Sequence, residues 1–181
     1  SSYIKQSGVH VDLVIYREID GKQIDSPGHV VNEILSKKPT IVAFSVMTFN
    51  WHRIKQILCL LREAQYGGLI VVGGYHAVLD FEEVLEQSEV DVVCVGEGER
   101  PLLDLVKRYD GSNISSLSVD GMIIKSNMRN FTKPEPWMTL DLDDYPYIDY
   151  DLFAGEGEGG LKNKFIGTFS SGGIYTLAMI T

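Results

Sequence analysis

Cysteine is almost absent from this chain: of 181 residues, only Cys59 and Cys94 carry a thiol. Two thiols build no disulfide scaffold, and they are too few for a Cys-ligated zinc or iron–sulfur site. Cations are also scarce. Sixteen Lys and Arg stand against 25 Asp and Glu, giving a net charge of −9 and a pI near 4.8. Phosphate contacts need clustered cations, so nucleic acid is not an expected partner. No apolar run approaches the ~18 residues of a membrane-spanning helix, and no leader pattern opens the chain. There is no Gly-Lys-Ser/Thr phosphate loop and no internal repeat. These absences predict an acidic, soluble, cytoplasmic protein without membrane or nucleic-acid partners.

What is present has a clear order. Short apolar runs at Val11–Tyr16, Thr40–Val46, Leu69–Val72 and Val90–Val95 are rich in Val and Ile. They are nearly continuous rather than alternating, as strands covered on both faces should be. Helical stretches separate them. Ser26-Pro27 supplies a cap and a first-turn proline for a helix to about Lys37. Asn50 is a candidate cap for a helix with Trp51, Ile54, Leu58 and Leu61 on one face, stopped near Tyr66 by Gly67-Gly68. Asp80 can cap Phe81–Gln87, whose Glu82 and Glu83 suit the positive end of a helix dipole. Glu99-Arg-Pro101 opens a last helix ending near Asp110-Gly111. Strands alternating with helices at this spacing predict right-handed crossovers and a parallel sheet. The expected fold is α/β, a flavodoxin-like (Rossmann-like) doubly wound sheet. Residues 1–8 read as the end of a helix stopped by Gly8, so one further strand is expected before residue 1, making five.

After Gly111 the pattern changes. Leu117–Ile124 is expected to be a small hairpin around Asp120-Gly121. Residues 134–153 mix Pro, Asp, Tyr and Trp without a period, and Gly155–Gly160 is flexible by composition. The expected organisation is therefore an α/β domain over 1–112, a hairpin and linker over 113–160, and the opening of another unit over 161–181.

Ligands of open α/β sheets bind beyond the carboxyl ends of the strands. Three such loops carry unusual residues: Ser45-Val-Met-Thr48, Gly73-Gly-Tyr-His76 and Gly96-Glu-Gly-Glu99. Gly73, Gly74, Gly96 and Gly98 lack side chains, which lets a ligand approach the backbone. Ser45 and Thr48 add hydroxyls, and Glu97 and Glu99 add acceptors. Glycines after strands are also ordinary turn residues; the concentration of all three loops on one rim is what favours a groove. Gly96–Glu99 lacks the third glycine of a dinucleotide fingerprint and puts carboxylates where phosphates would sit.

As a set, these residues resemble a known family. Ser45-Val-Met, then Val71-Val-Gly-Gly74 with Gly73 28 positions after Ser45, then Val95-Gly-Glu-Gly-Glu99, look like the cobalamin-binding domain of B12-dependent radical S-adenosylmethionine (SAM) enzymes. Met47 and Tyr75 stand where that family has Leu and Pro. Leu142–Leu152 resembles the linker from that domain into the radical SAM barrel. The resemblance implies a cobalamin whose contacts would be Ser45, Met47, Thr48, Gly73, Gly74, Tyr75, Gly96, Glu97 and Gly98. It implies the remainder of a radical SAM barrel as partner, and an enzyme that uses the corrinoid for methyl transfer or related radical chemistry. The alternative on the same fold is a corrinoid-free interaction domain.

Two departures from the family stand out. The Asp-x-His-x-x-Gly motif that supplies a cobalt ligand in some cobalamin proteins does not occur in these residues; its place would fall before residue 1, and many radical SAM members of the family lack it. Ser170–Thr181 aligns with the family's cluster-binding motif, but its three cysteines fall on Gly173, Leu177 and Ile180. None of these side chains ligates iron, so a four-iron–four-sulfur cluster and SAM cleavage are not expected of this chain. His10, His29 and His52 are read as surface or capping groups. His76 is open between ligand contact and a loop role, as is Phe49 between core and site; Trp51 is expected in the core. Cys59 and Cys94 read as buried small hydrophobes. The acids Asp141, Asp143, Asp144, Asp149 and Asp151 read as solvated.

Overall fold

A computed structural model describes residues 2–19, 22–23, 25–130, 141, 143, 145–147 and 174–180, with backbone alone at 15–19, 22–23, 128–130 and 174–180. The chain begins with α1 (Ser2–Gln6), β1 (Val11–Ile19) and the short β2 (Lys22–Gln23). Next come α2 (Pro27–Ser36), β3 (Ile41–Ser45), α3 (Trp51–Glu63), β4 (Leu69–Gly73), α4 (Tyr75–Leu79), α5 (Phe81–Glu86), β5 (Val92–Cys94) and α6 (Glu99–Arg108). Two more strands, β6 (Met122–Ile124) and β7 (Ile174–Ile180), complete one sheet in the order β2-β1-β7-β3-β4-β5-β6. Strands β3, β4 and β5 pair in parallel. Because β7 runs antiparallel to both β1 and β3, β1 points the same way as those three. The four central runs of the sequence thus form the parallel strands of an α/β fold.

The helix ends follow local chemistry. Ser26 Oγ accepts the His29 N–H at 3.1 Å at the start of α2, and Asp80 Oδ1 accepts the Glu83 N–H at 3.1 Å at the start of α5. Asn50 behaves differently from the expected cap. The chain enters α3 through a 3₁₀ turn at Thr48–Asn50, and buried Asn50 turns its Oδ1 back to accept the Met47 N–H at 3.0 Å. Helix α3 also stops earlier than Gly67-Gly68 suggests. Gln65 adopts φ +60°, and the Gln65 and Tyr66 amides donate to the Arg62 and Leu61 carbonyls, an end in which Gln does the work usually given to Gly.

Helices cover both faces of the sheet, which explains the continuous apolar runs. Val42, Phe44, Ile70, Val72 and Val93 belong to the core shared with α2, α3 and α5; Ile41, Ala43, Leu69, Val71, Val92 and Cys94 belong to the core shared with α1 and α6. Neighbouring residues of one strand therefore serve opposite cores.

Arg62 fastens α3 to the sheet. Its guanidinium donates to the carbonyls of Tyr66 (2.7 Å), Gly68 (3.0 Å) and Glu89 (3.0 Å) and to Asp91 Oδ2 (2.6 Å), which also accepts the Ile70 N–H at 2.8 Å. Arg62→Met keeps the apolar stem and removes the donors. It is expected to cost about 2 kcal/mol in a urea titration, part exposure of the pair tempering the loss. An unchanged midpoint would show that water replaces these bonds freely.

The sequence beyond Gly111 folds differently from the expected hairpin. The turn at Asp120-Gly121 is present, with Gly121 at φ +77°. It delivers only one strand: Met122–Ile124 pairs antiparallel with β5, and 117–119 form none. An apolar triplet gains more from the open edge of a buried sheet than from an isolated two-stranded ribbon. Ile174–Ile180, read from sequence as the start of another unit, lies between β1 and β3 in this same sheet. Most of the linker, including Asp144, Asp149 and Asp151, and the Gly155–Gly160 run lie outside the described residues.

Candidate functional site

The carboxyl ends of β3, β4 and β5 meet on one rim, and each runs into one of the three loops singled out by sequence. Two backbone bonds lock the first two loops together. The Val46 N–H donates to the Gly73 carbonyl at 2.8 Å, and the His76 N–H donates to the Val46 carbonyl at 3.0 Å. This closeness requires glycine at position 74, where φ is +91° and a Cβ would lie 2.6 Å from Val46 N. Gly96, at φ +104°, makes the corresponding turn after β5.

Behind this rim, on the side of α1 and α6, lies a cavity of about 400 Å³, within the ~300–1,000 Å³ range of small-ligand sites. Ser45, Gly73, Gly74, Gly96, Glu97 and Gly98 all line it. Six of the nine candidate residues therefore converge on one space. Met47, Thr48 and Tyr75 do not line it; they stand exposed on the loops beside its mouth. Phe49, 61% exposed in the first of these loops, and Leu79 at the end of α4 are solvent-facing apolar groups.

The apolar wall of the cavity went unseen in the sequence. Tyr3 and Ile4 come from α1, Leu13 from β1, Leu102 from α6 and Met122 from β6. Each looks like ordinary core from its periodicity, and no local signal separates a residue facing a cavity from one facing another side chain. Cys94 also lines the space. Burial, helped by the charge on Glu99, pushes its thiol up to about 12, so it stays protonated and acts as an apolar wall.

Glycine decides how open the space is. A Cβ at Gly73 would sit 3.3 Å from Cys94 Cβ, and one at Gly98 would sit 3.8 Å from Cys94 Sγ. Both positions thus face a residue of the cavity wall. The mouth bears the carboxylates of Glu97 and Glu99, and no Lys or Arg lines the cavity among the described residues. That lining suits neutral groups and hydrogen-bond donors better than a free phosphate.

The single residues resolve as follows. Trp51 is buried, as expected. His76, left open by sequence, is 3% exposed and is not part of the cavity lining. His10, His29 and His52 are exposed. Cys59 corrects the sequence expectation: it is exposed, with Sγ 3.4 Å from Glu89 Oε1, because its position on α3 lies off the buried stripe. Burial, the Glu89 hydrogen bond and nearby carboxylates raise its pKa. Among the described residues, no group of three or more His, Cys, Asp or Glu side chains is placed to hold a metal ion. No described helix is long and apolar enough to cross a membrane. At the positions aligned with cluster cysteines, Leu177 and Ile180 are in β7, and Gly173 lies outside the described residues.

The chain is similar to two proteins named as anaerobic magnesium-protoporphyrin IX monomethyl ester cyclases. One, from Cereibacter sphaeroides, is 36% identical over 93 residues, which is 48% of this chain and 15% of that protein. The other, from Rubrivivax gelatinosus, is 28% identical over 165 residues, 82% of this chain and 29% of that protein. The chain thus matches less than a third of the length of either relative. A family model described as the B12 binding domain matches residues 1–106, the span that contains β1 to β5 and all three rim loops. The chain belongs to the B12-binding domain family.

Proposed function

We propose that this domain holds a corrinoid, the base of its nucleotide tail in the cavity behind Ser45, Gly73, Gly74, Gly96 and Gly98 and its ring against the loops bearing Met47, Thr48 and Tyr75. The observation that carries this reading is the convergence of four glycines, from two successive strand ends, on one 400 Å³ cavity. The fit is chemical as well as spatial. Ile4, Leu13, Val71, Leu102 and Met122 give an apolar enclosure for the flat base of a nucleotide tail. Ser45 and the bare backbone of Gly73-Gly74 offer polar contacts at its edge. Glu97 supplies an acceptor for the amide side chains of a corrin, and Met47 and Tyr75 give its apolar face something to lie on.

When bound, a corrinoid supplies cobalt-centred chemistry such as methyl transfer; the protein's part is to bind it, orient it and exclude water. Within a larger protein, the domain would present the cofactor to a radical SAM barrel. What supports this is the linker-like Leu142–Leu152 segment together with membership in the B12-binding family. Because Gly173, Leu177 and Ile180 carry no thiol, radical chemistry is not assigned to this chain itself.

The test is to mix the chain with excess hydroxocobalamin, desalt it, and read the corrin absorbance of the protein fraction. About one corrinoid per chain is expected, as for a single enclosed site. A protein folded by circular dichroism that emerges colourless would overturn the reading in favour of a corrinoid-free interaction domain.

A further inference from the structure

Glu83 lies on α5 and is not part of the cavity lining, yet its carboxylate reaches the roots of both rim loops. Oε1 accepts the Trp51 indole N–H at 2.8 Å and the Lys55 ammonium at 3.2 Å, both from α3. Oε2 stands 3.4 Å from His76 Nε2 on α4. Trp51 and His76 are both buried, their rings 5.0 Å apart, and Lys55 Nζ lies 5.6 Å from the centre of the Trp51 ring. Trp51 follows the loop that carries Met47, Thr48 and Phe49. His76 follows Tyr75 and also donates its backbone N–H to Val46. One carboxylate therefore joins three helices directly beneath two loops that are themselves joined backbone to backbone.

We infer that Glu83 is a positioning residue: through Trp51 and His76 it sets the separation of the Val46–Asn50 and Gly73–Tyr75 loops, and so the shape of the surface offered to the ligand. The geometry argues against a purely local helix role. Asp80 already caps α5, and Glu82 and Glu86 on the same helix are exposed. Neither His76 ring nitrogen makes a hydrogen bond in the structure, so the approach of Glu83 is the polar contact that restrains this buried ring. The carboxylate is held in its charged form. Burial works against that form, but the hydrogen bonds from Trp51 and Lys55 and the charge of Lys55 outweigh it and lower the pKa.

The consequence for ligand binding rests on the corrinoid reading above; the consequence for the loops does not. The test uses the full chain with Glu83→Ala, Glu83→Gln as the shape-conserving variant, and Glu86→Ala as a control on the same helix. Amide exchange at Val46 and His76 is expected to rise about tenfold in both Glu83 variants, with Ile70 and Val72 unchanged, since only the loop-to-loop bonds lose their support. The Trp51 indole N–H resonance should shift, and hydroxocobalamin affinity should fall about tenfold while the control matches wild type. Unchanged exchange at Val46 and His76, or loosened loops with wild-type affinity, would overturn the inference. A wild-type chain that retains no corrinoid would instead count against the corrinoid reading, and the exchange measurement would still decide the role of Glu83.

Discussion

Gly98→Leu is expected to abolish corrinoid retention, lowering affinity by at least about a hundredfold, while the protein melts within a few degrees of wild type. The two halves of this expectation come from one backbone position. Gly98 precedes α6 at φ −92° and ψ −10°, an ordinary conformation that any residue adopts. A Cβ there meets Cys94 Sγ at 3.8 Å, a normal contact. The first added carbon is thus free of strain, and glycine makes no side-chain capping bond that leucine would lose. The remaining carbons extend from the cavity wall into the space proposed for the tail. Gly98→Ala, which stops at the Cβ, should bind within about threefold of wild type. Isothermal titration with hydroxocobalamin distinguishes the two. If Gly98→Leu binds as wild type does, the tail does not enter this cavity.

The largest expected stability effect is at Gly74. Alanine there must adopt φ +91° with ψ −175°, a region open essentially to glycine alone. Its Cβ would also lie 2.6 Å from the nitrogen and 2.8 Å from the oxygen of Val46. Those are backbone atoms, and both are engaged in the bonds that join the first two rim loops. They cannot rotate away as a side chain would. Conformational strain and overpacking together are expected to cost about 3–4 kcal/mol. That is a large share of the ~5–15 kcal/mol stability of a typical domain. Chemical denaturation measures it directly, and amide exchange at Val46 and His76 should rise more than elsewhere. A loss below about 1 kcal/mol would mean that the loop shifts without cost, and that the two loops are not rigidly joined.

The contrast between these glycines shows what the sequence could convey. Both stand in Gly-containing strand-end loops, and the pattern of such loops was enough to locate the rim. It could not say that Gly74 is held by backbone strain while Gly98 is open to substitution, because that difference lies in φ and in the distance to another strand. The parallel strands β3, β4 and β5 were readable because they are buried on both faces, which leaves a nearly unbroken apolar signature. The edge strand β6 was misread as half of a hairpin; three residues carry too little pattern to name their partner. The cavity wall stayed hidden for a related reason. Ile4, Leu102 and Met122 are brought together from positions up to 118 residues apart, and each has the local environment of a core residue. His76 shows the converse. Its sequence position left it open between ligand contact and a loop role; its backbone N–H donates to Val46 on the rim while its buried ring lies against Trp51.

The position of β7 bears on how this sheet can be made. Val11 pairs with Ile180, 169 residues later, and β1 otherwise pairs only with the two-residue β2 among the described strands. While the chain is still on the ribosome, β3, β4 and β5 can find one another within some 30 residues, but the other side of β3 must wait for β7, and so must β1. Among the described strands its long edge is covered by β7 alone, and closing it joins segments at the greatest separation in the described sheet. Such distant pairing is slow, and an unpaired apolar edge is what other nascent chains can add to. The acidic balance of the chain, nine negative charges in excess, is then a protection during synthesis as much as a property of the finished surface.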